Sequence, residues 1–227
     1  MKLLVATRSA GKIREIRRIL AEVPGLTVLN LEDAGIDYDP AEEELEPFDT
    51  FEENALSKAR YFATKSGLPT VADDSGLEVD ALGGAPGVRS KRFAADGRID
   101  VGSEVVEALE GQALDHANNR HLLSRLADVP QERRSARYVC VAALIEPEAE
   151  PLVFRGEAPG VIVDEPRGSG GFGYDPYVFD LDLGKTFAEL SGPEKDARSH
   201  RGSAFRMLAR RLQERLVERP EHGTGAG

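Results

Sequence analysis

The sequence has no tryptophan, two methionines and one cysteine in 227 residues. The single thiol, Cys140, excludes an internal disulfide framework and any metal site made of clustered cysteines. A buried strand position is the expectation for it. Long apolar runs are missing as well. Nothing approaches the roughly 20 apolar residues that cross a bilayer. The opening apolar stretch, residues 1–6, breaks at Thr7-Arg8 before it reaches the length of a secretory leader. A cytoplasmic location with no membrane partner is therefore expected. Positive charge is absent from one region: residues 32–53 hold eleven acidic side chains and no lysine or arginine. The chain carries 29 basic and 40 acidic residues, a net charge of −11, so this one stretch equals the whole excess. Such a balance does not suit a protein that tracks a nucleic-acid backbone, because phosphate neutralisation needs Lys and Arg. An acidic wall beside a basic segment suits a site holding a cation and a polyphosphate together. A solvated acidic loop is the plain alternative.

What is present reads as α/β. Residues 2–7 form a short apolar strand. Ile13, Ile16, Leu20 and Val23 then recur at helical spacing, Pro24-Gly25 stops the helix, and residues 26–29 resume a strand. Thr50-Phe51-Glu52-Glu53 has capping-box spacing for a second helix running to about Lys65. A short strand at 70–72 is expected to deliver an acidic turn, Asp73-Asp74-Ser75-Gly76. A polar helical region is expected over 101–126, and long strands over 136–145 and 152–163. A last helix should place Phe205, Leu208, Leu212 and Leu216 on one face. The length suits one unit over residues 1–218, with a disordered tail at 219–227.

Four segments carry residue types suited to chemistry. Thr7-Arg8-Ser9-Ala10-Gly11-Lys12 joins a strand to a helix, where backbone amides and a lysine can meet an anion; an ordinary serine-capped connection is the alternative. Asp73 and Asp74 are adjacent carboxylates that repel unless compensated, as a divalent cation would do. An Asx turn explains the same residues without function. Gly170-Gly171-Phe172-Gly173-Tyr174-Asp175 surrounds two aromatics with glycine, so Phe172 or Tyr174 could stack on a base. A tight hairpin with core aromatics is the alternative. Ser191-Gly192-Pro193-Glu194-Lys195 and Ser199-His200-Arg201 bring cations to a helix start. His116, His121 and His222 lack motif support and are read as surface or packing residues.

Together the strings TRSAGK, FEENALSKA, ADDSGLEVDALGGAPGVRS, GGFGYDPYVF and SHRG resemble, in order, the inosine triphosphate pyrophosphatase (Ham1-like) family over residues 2–216. The resemblance implies a long mixed sheet with flanking helices, two lobes around a cleft, and a homodimer. It implies Mg²⁺-dependent hydrolysis of ITP, dITP and XTP to monophosphate and pyrophosphate. By the same resemblance, Asp74 is the catalytic carboxylate and Ser75 a substrate contact. Thr7, Arg8, Ser9, Ala10, Gly11 and Lys12 bind phosphates. Phe172, Gly173, Tyr174, Asp175, Lys195, His200 and Arg201 reach the nucleotide, and Glu46 joins Asp74 on the metal. Lys12 and Lys195 would meet charge on the leaving pyrophosphate, and Arg201 or nearby amides would donate to the purine O6. Asp73 is expected to support the turn. Two departures stand out: Ser9 where the family usually has Asn, and a longer segment at 96–112. A pyrophosphatase of other base preference, a γ-phosphatase and a non-catalytic nucleotide sensor are the competing functions.

Overall fold

The computed structural model describes residues 1–96 and 110–218. The expected tail at 219–227, His222 and most of the 96–112 insertion lie outside them.

The chain opens with strand β1 (Lys2–Val5), helix α1 (Ala10–Leu20) and strand β2 (Thr27–Leu29). A 3-10 turn (Pro40–Glu44) precedes helix α2 (Phe51–Ser66) and strand β3 (Thr70–Val79). Thr50 caps α2 by accepting from the Glu53 amide, as its spacing predicted, and Gly67 ends the helix in the left-handed region (φ 66°). Then come α3 (Phe93–Asp96), α4 (Gly111–Arg125), β4 (Ser135–Ile145) and β5 (Leu152–Ile162). The chain closes with β6 (Val178–Asp180), β7 (Lys185–Thr186), α5 (Gly192–Arg198) and α6 (His200–Glu218).

The strands form one mixed seven-stranded sheet in the order β2-β1-β3-β4-β5-β6-β7. β1 pairs in parallel with β2 and β3; every later pairing is antiparallel. The α/β expectation of a mixed sheet with flanking helices is what the structure shows. Three apolar clusters fill it. One holds Leu3, Val5, Ile16, Leu20, Cys140, Phe205, Leu208 and Leu212, joining the sheet to α1 and α6. On the opposite face, Leu4, Ala72, Val139 and Val141 meet Phe51, Ala55, Ala59 and Phe62 of α2. The third gathers Leu77, Tyr138, Ile162, Tyr174 and Phe187 with Leu122 of α4. Cys140 is free and fully buried on β4, as expected.

The chain leaves β1 through α1 to reach β2 on one side, then crosses through α2 to reach β3 on the other. In an open α/β sheet such a reversal opens a crevice at the carboxyl ends of the two central strands. Here those ends are Val5 and the middle of β3.

One expectation is corrected. Asp73-Asp74-Ser75-Gly76 is not a turn. All four lie inside β3, opposite Ala142, Val141, Cys140 and Val139 of β4. A ten-residue antiparallel ladder overrides the turn preference of an Asp-Ser-Gly sequence. Gly76 is required there by close approach: a Cβ would lie 2.3 Å from the Gly87 carbonyl oxygen and 2.5 Å from Ser90 Oγ. Ser90 Oγ also accepts the Leu77 amide at 2.8 Å. Gly76→Ala should therefore destabilise the protein by about 3 kcal/mol, through overpacking against backbone that cannot move aside. Urea unfolding at constant m-value checks this.

Candidate active site

Strand geometry settles where the two carboxylates go. Successive side chains on a strand point to opposite faces. Asp73 shares its face with Val71, Cys140 and α1 and α6; Asp74 shares its face with Ala72, Val141 and α2. The adjacent acids are thus separated by the sheet, and each has its own surroundings.

Asp73 is 1% exposed and sits in a nest of cations. Lys12 Nζ is 3.0 Å from its Oδ2, the Arg201 Nε and Nη2 donors are each 3.4 Å away, and the Ser75 hydroxyl donates at 2.7 Å. Burial pushes its pKa up, but Lys12, Arg201 and Lys58 override this and hold it far below the usual carboxylate range. Asp73 is a permanent anion that anchors three cations, a larger role than the turn support expected from sequence.

Asp74 is 7% exposed. It accepts from Asn54 Nδ2 at 3.0 Å and from the Ser75 amide at 2.9 Å. Burial first, and then the charge of Glu46, push its pKa from the ordinary 3.8 up to about 6. Glu46 itself pairs with Lys58. Burial raises the Glu46 pKa, yet Lys58 and Lys12 outweigh it and the net direction is down. Lys58 also donates to the Asp73 carbonyl at 2.7 Å, tying Glu46 to the strand that carries both aspartates.

The loop from β1 to α1 ends at the mouth of this site. Ser9 is the N-cap, and its Oγ accepts the Lys12 amide at 3.3 Å. The Ser9 amide donates to Thr7 Oγ1 at 3.2 Å. Arg8 departs from the expected orientation: its guanidinium forks onto Glu42 instead of facing the loop's mouth. The phenyl ring of Phe172 lies against Gly11, where a Cβ would come within 3.2 Å of it. This contact joins the loop to the glycine-rich turn.

That turn is held from several sides. Asp175 Oδ2 accepts the Phe172 amide at 2.9 Å and Lys195 Nζ at 2.7 Å; its Oδ1 accepts the Tyr138 hydroxyl at 3.0 Å. From α4, Asp115 accepts the Gly173 amide and Asn119 donates to the Gly173 carbonyl, both at 2.9 Å. Gly171 has φ 73°, and the Asp175 carboxylate occupies the space a side chain would take. The two aromatics divide. Tyr174 is 5% exposed and donates to the Ser90 carbonyl at 2.7 Å, so it is a core residue. Phe172 is 42% exposed, with Lys195 Nζ 4.7 Å from its ring centre, and offers the flat face.

His200 stacks on Tyr138, centroids 4.8 Å apart and planes 16° from parallel. Burial, then Arg201 and Lys195, drive its pKa well below the ordinary value, so the imidazole is neutral. Arg201, 2% exposed, is engaged inward with Asp73 and with Glu15 at 2.6 Å. Lys195 also reaches Glu15 of α1, at 3.2 Å, so it bridges the aromatic turn and the first helix.

Motif reading gave no role to Asn54, Lys58, Glu15, Asp115 or Tyr138. Two signals could have found some of them. Asn54 and Lys58 stand four apart, on one face of α2. Glu15 is the sole acid in a helix with four basic residues, and it is buried. Of the histidines without a motif, His116 is exposed, while His121 is 4% exposed against Phe93 with rings 4.4 Å apart.

Nine charged side chains thus meet here. Lys12, Lys58, Lys195 and Arg201 stand against Glu15, Glu46, Asp73, Asp74 and Asp175. The excess is negative, and Asp74 is where it falls.

The sequence profile of the Ham1 family matches residues 3–211. The chain belongs to the Ham1 family. A dITP/XTP pyrophosphatase of Frankia alni is 50% identical over 217 residues, spanning 96% of this chain and all of that protein. A dITP/XTP pyrophosphatase of Geobacter sulfurreducens is 48% identical, spanning 91% of this chain and 94% of its own. The solved structure of the Staphylococcus aureus Ham1 protein superposes with a TM-score of 0.76 at 34% identity, covering 95% of this chain and all of that one. Ham1 membership is what the five strings implied.

The raised pKa of Asp74 has a consequence for stability. The fold favours the protonated form, so the contribution of Asp74 to stability is fully present below about pH 4 and is lost as pH rises through about 6. Asp74→Asn removes the charge. The variant should match the parent near pH 4 and exceed it by on the order of 1–3 kcal/mol above pH 7. Thermal unfolding without nucleotide or divalent cation, scanned over pH, measures this.

Proposed function

We propose that this chain hydrolyses non-canonical purine nucleoside triphosphates, ITP, dITP and XTP, to the monophosphate and pyrophosphate. One observation carries the reading: just beyond the point where β1 and β3 separate, Asp73 is joined through Lys12 to the start of α1, the exposed ring of Phe172 lies against Gly11, and Asp74, buried on the other face of the strand, has a raised pKa. The names of the similar proteins supply the substrate class.

The residues divide the work. The amides from Ser9 to Lys12 and the Lys12 ammonium take the triphosphate at the start of α1, where the helix dipole favours an anion. Ser9 uses its oxygen as cap acceptor, which leaves its O–H to donate to a phosphate oxygen. Phe172 stacks on the base. His200 is neutral and meets the base through one ring nitrogen, which donates or accepts according to the tautomer. Hypoxanthine and xanthine present O6 as an acceptor and N1–H as a donor, and adenine reverses this pattern. Donors left unpaired by adenine supply discrimination of roughly 10⁴-fold. Tyr174, Asp175 and Glu15 act behind this surface, holding Phe172, Lys195 and Arg201 in place.

Water attacks the α-phosphorus. The new P–O bond forms as the bond to the bridging oxygen breaks, and pyrophosphate leaves. Asp74 receives the proton; a carboxylate that would also hold the cation is a weaker base than a free one, so positioning the water is the larger part of its role. Lys12 meets the charge that develops on the phosphates.

A divalent cation fits this site. Burial first, and then the charge of Glu46, raise the Asp74 pKa, and the charged cluster has one more acid than base. Among the described residues no group of three or more His, Cys, Asp or Glu could hold a metal alone. Two carboxylates completed by water and substrate phosphates are what Mg²⁺ commonly takes. Asp74 and Glu46 would hold it, and it would supply neutralisation of phosphate charge during the transfer. The reading extends to residues 1–218 as one unit, a homodimer and a cytoplasmic setting, which rest on family membership and not on the site.

A substrate panel with product identification tests the proposal. ITP, dITP and XTP should give pyrophosphate and monophosphate, with kcat/KM about 10⁴-fold above ATP. Orthophosphate with a diphosphate would indicate a γ-phosphatase instead. Asp74→Asn should lower kcat by about 10²–10⁴-fold while nucleotide still binds.

A further inference from the structure

The latch made by Arg8 is unexplained by substrate binding. Its Nε donates to Glu42 Oε2 at 3.0 Å and its Nη2 to Glu42 Oε1 at 2.7 Å. Its Nη1 donates to the Ile36 carbonyl at 3.1 Å, and Nη2 also to the Asp37 carbonyl at 2.9 Å. Four bonds thus cross from the phosphate loop to a segment about thirty residues on, and two form the bidentate fork that only arginine makes. The Glu42 side chain is 8% exposed, and its Oε1 also accepts the Asp39 amide at 3.2 Å, closing the capping box of the 3-10 turn.

That turn ends at Leu45, which packs against the apolar cluster under α2, and the next residue is Glu46. Residues 36–46 therefore reach the site held at several points. Arg8 grips the front of the turn, Leu45 docks its end, and Lys58 holds Glu46. Across 32–53 the segment has no cation of its own. Asp37, Asp39, Glu42, Glu43, Glu44 and Glu46 repel one another, and the cations that gather them come from outside: Arg8, Lys58 and Lys65. Of these three, Arg8 alone belongs to the phosphate loop.

We propose that Arg8 is a positioning residue: by gripping Glu42 it fixes the Glu46 carboxylate relative to the phosphate loop, and so sets how tightly the site takes a divalent cation in the nucleotide complex. This rests on the pyrophosphatase reading above. It also makes Arg8 a support of the metal ligand and not a phosphate contact.

The two roles predict different partners in mutation. Arg8→Met and Glu42→Gln break the same latch from opposite ends. The probe is Mg²⁺ titrated into protein saturated with the α,β-methylene analogue of ITP, followed by the thermal midpoint, with Mg²⁺ activation of ITP hydrolysis measured beside it. Each variant should raise the Mg²⁺ concentration at half-effect by about 10-fold. The double variant should be no worse than either single one, and metal-free binding of the analogue should stay within about 2-fold. Arg8→Lys, which keeps the charge but not the fork, should fall between. Weakened metal-free binding in Arg8→Met but not in Glu42→Gln would overturn the proposal, since Arg8 would then be a phosphate contact. So would a half-effect concentration that neither variant changes. Should Arg8→Met fail to fold, Glu42→Gln and Arg8→Lys decide by the same criterion. A parent enzyme that needs no divalent cation, or releases no pyrophosphate, would instead overturn the underlying reading.

Discussion

The alternation of side chains along β3 is the constraint on which the site depends. Two acids adjacent in sequence would share one field and one pKa shift if they lay on a turn. On a strand they face opposite ways. Asp73 meets Lys12 and Arg201 and stays ionised; Asp74 meets Asn54 and lies under the field of Glu46, so its proton is retained into the range where a base is useful. One antiparallel ladder with β4 therefore produces, from the dipeptide Asp-Asp, one carboxylate held ionised by cations and one of raised pKa.

The anchor ties distant parts of the chain together. Lys12 comes from α1, Arg201 from α6, and Glu15, one turn after Lys12, returns to Arg201 and to Lys195 on α5. Lys195 continues to Asp175 and the ring of Phe172. Acids and bases alternate along this path, which is how buried charges avoid the desolvation penalty of standing alone. The phosphate helix and the base shelf are joined by side chains as well as by packing, with the Gly11–Phe172 contact as the shortest link.

Much of this was legible in the sequence, for physical reasons. Apolar spacing located α1, α6 and the long strands, and the Thr50 cap located α2 to within a residue. The motif strings named residues that the fold links in one place, from Lys12 through Asp73 and Arg201 to Lys195 and Asp175. The acidic strand was misread because Asp, Ser and Gly favour turns locally, and nothing local reveals a ten-residue partner 57 to 75 positions away. The contact of Arg8 was hidden for a related reason: its partner, Glu42, lies in a stretch that reads as solvated acid. Asn54 and Lys58 stood in plain view in FEENALSKA, but on a helix only the tertiary fold shows which face meets Asp73 and Asp74.

The acidic stretch can now be seen as part of the machinery. A run of like charges is usually a solvated face, and left alone this one would repel itself outward. Arg8, Lys58 and Lys65 each reach in from a different element and hold one of its acids. Their combined effect is to deliver Glu46 beside Asp74 while leaving the local charge negative. The site is therefore strained electrostatically before any ligand arrives, and a ligand carrying positive charge relieves that strain.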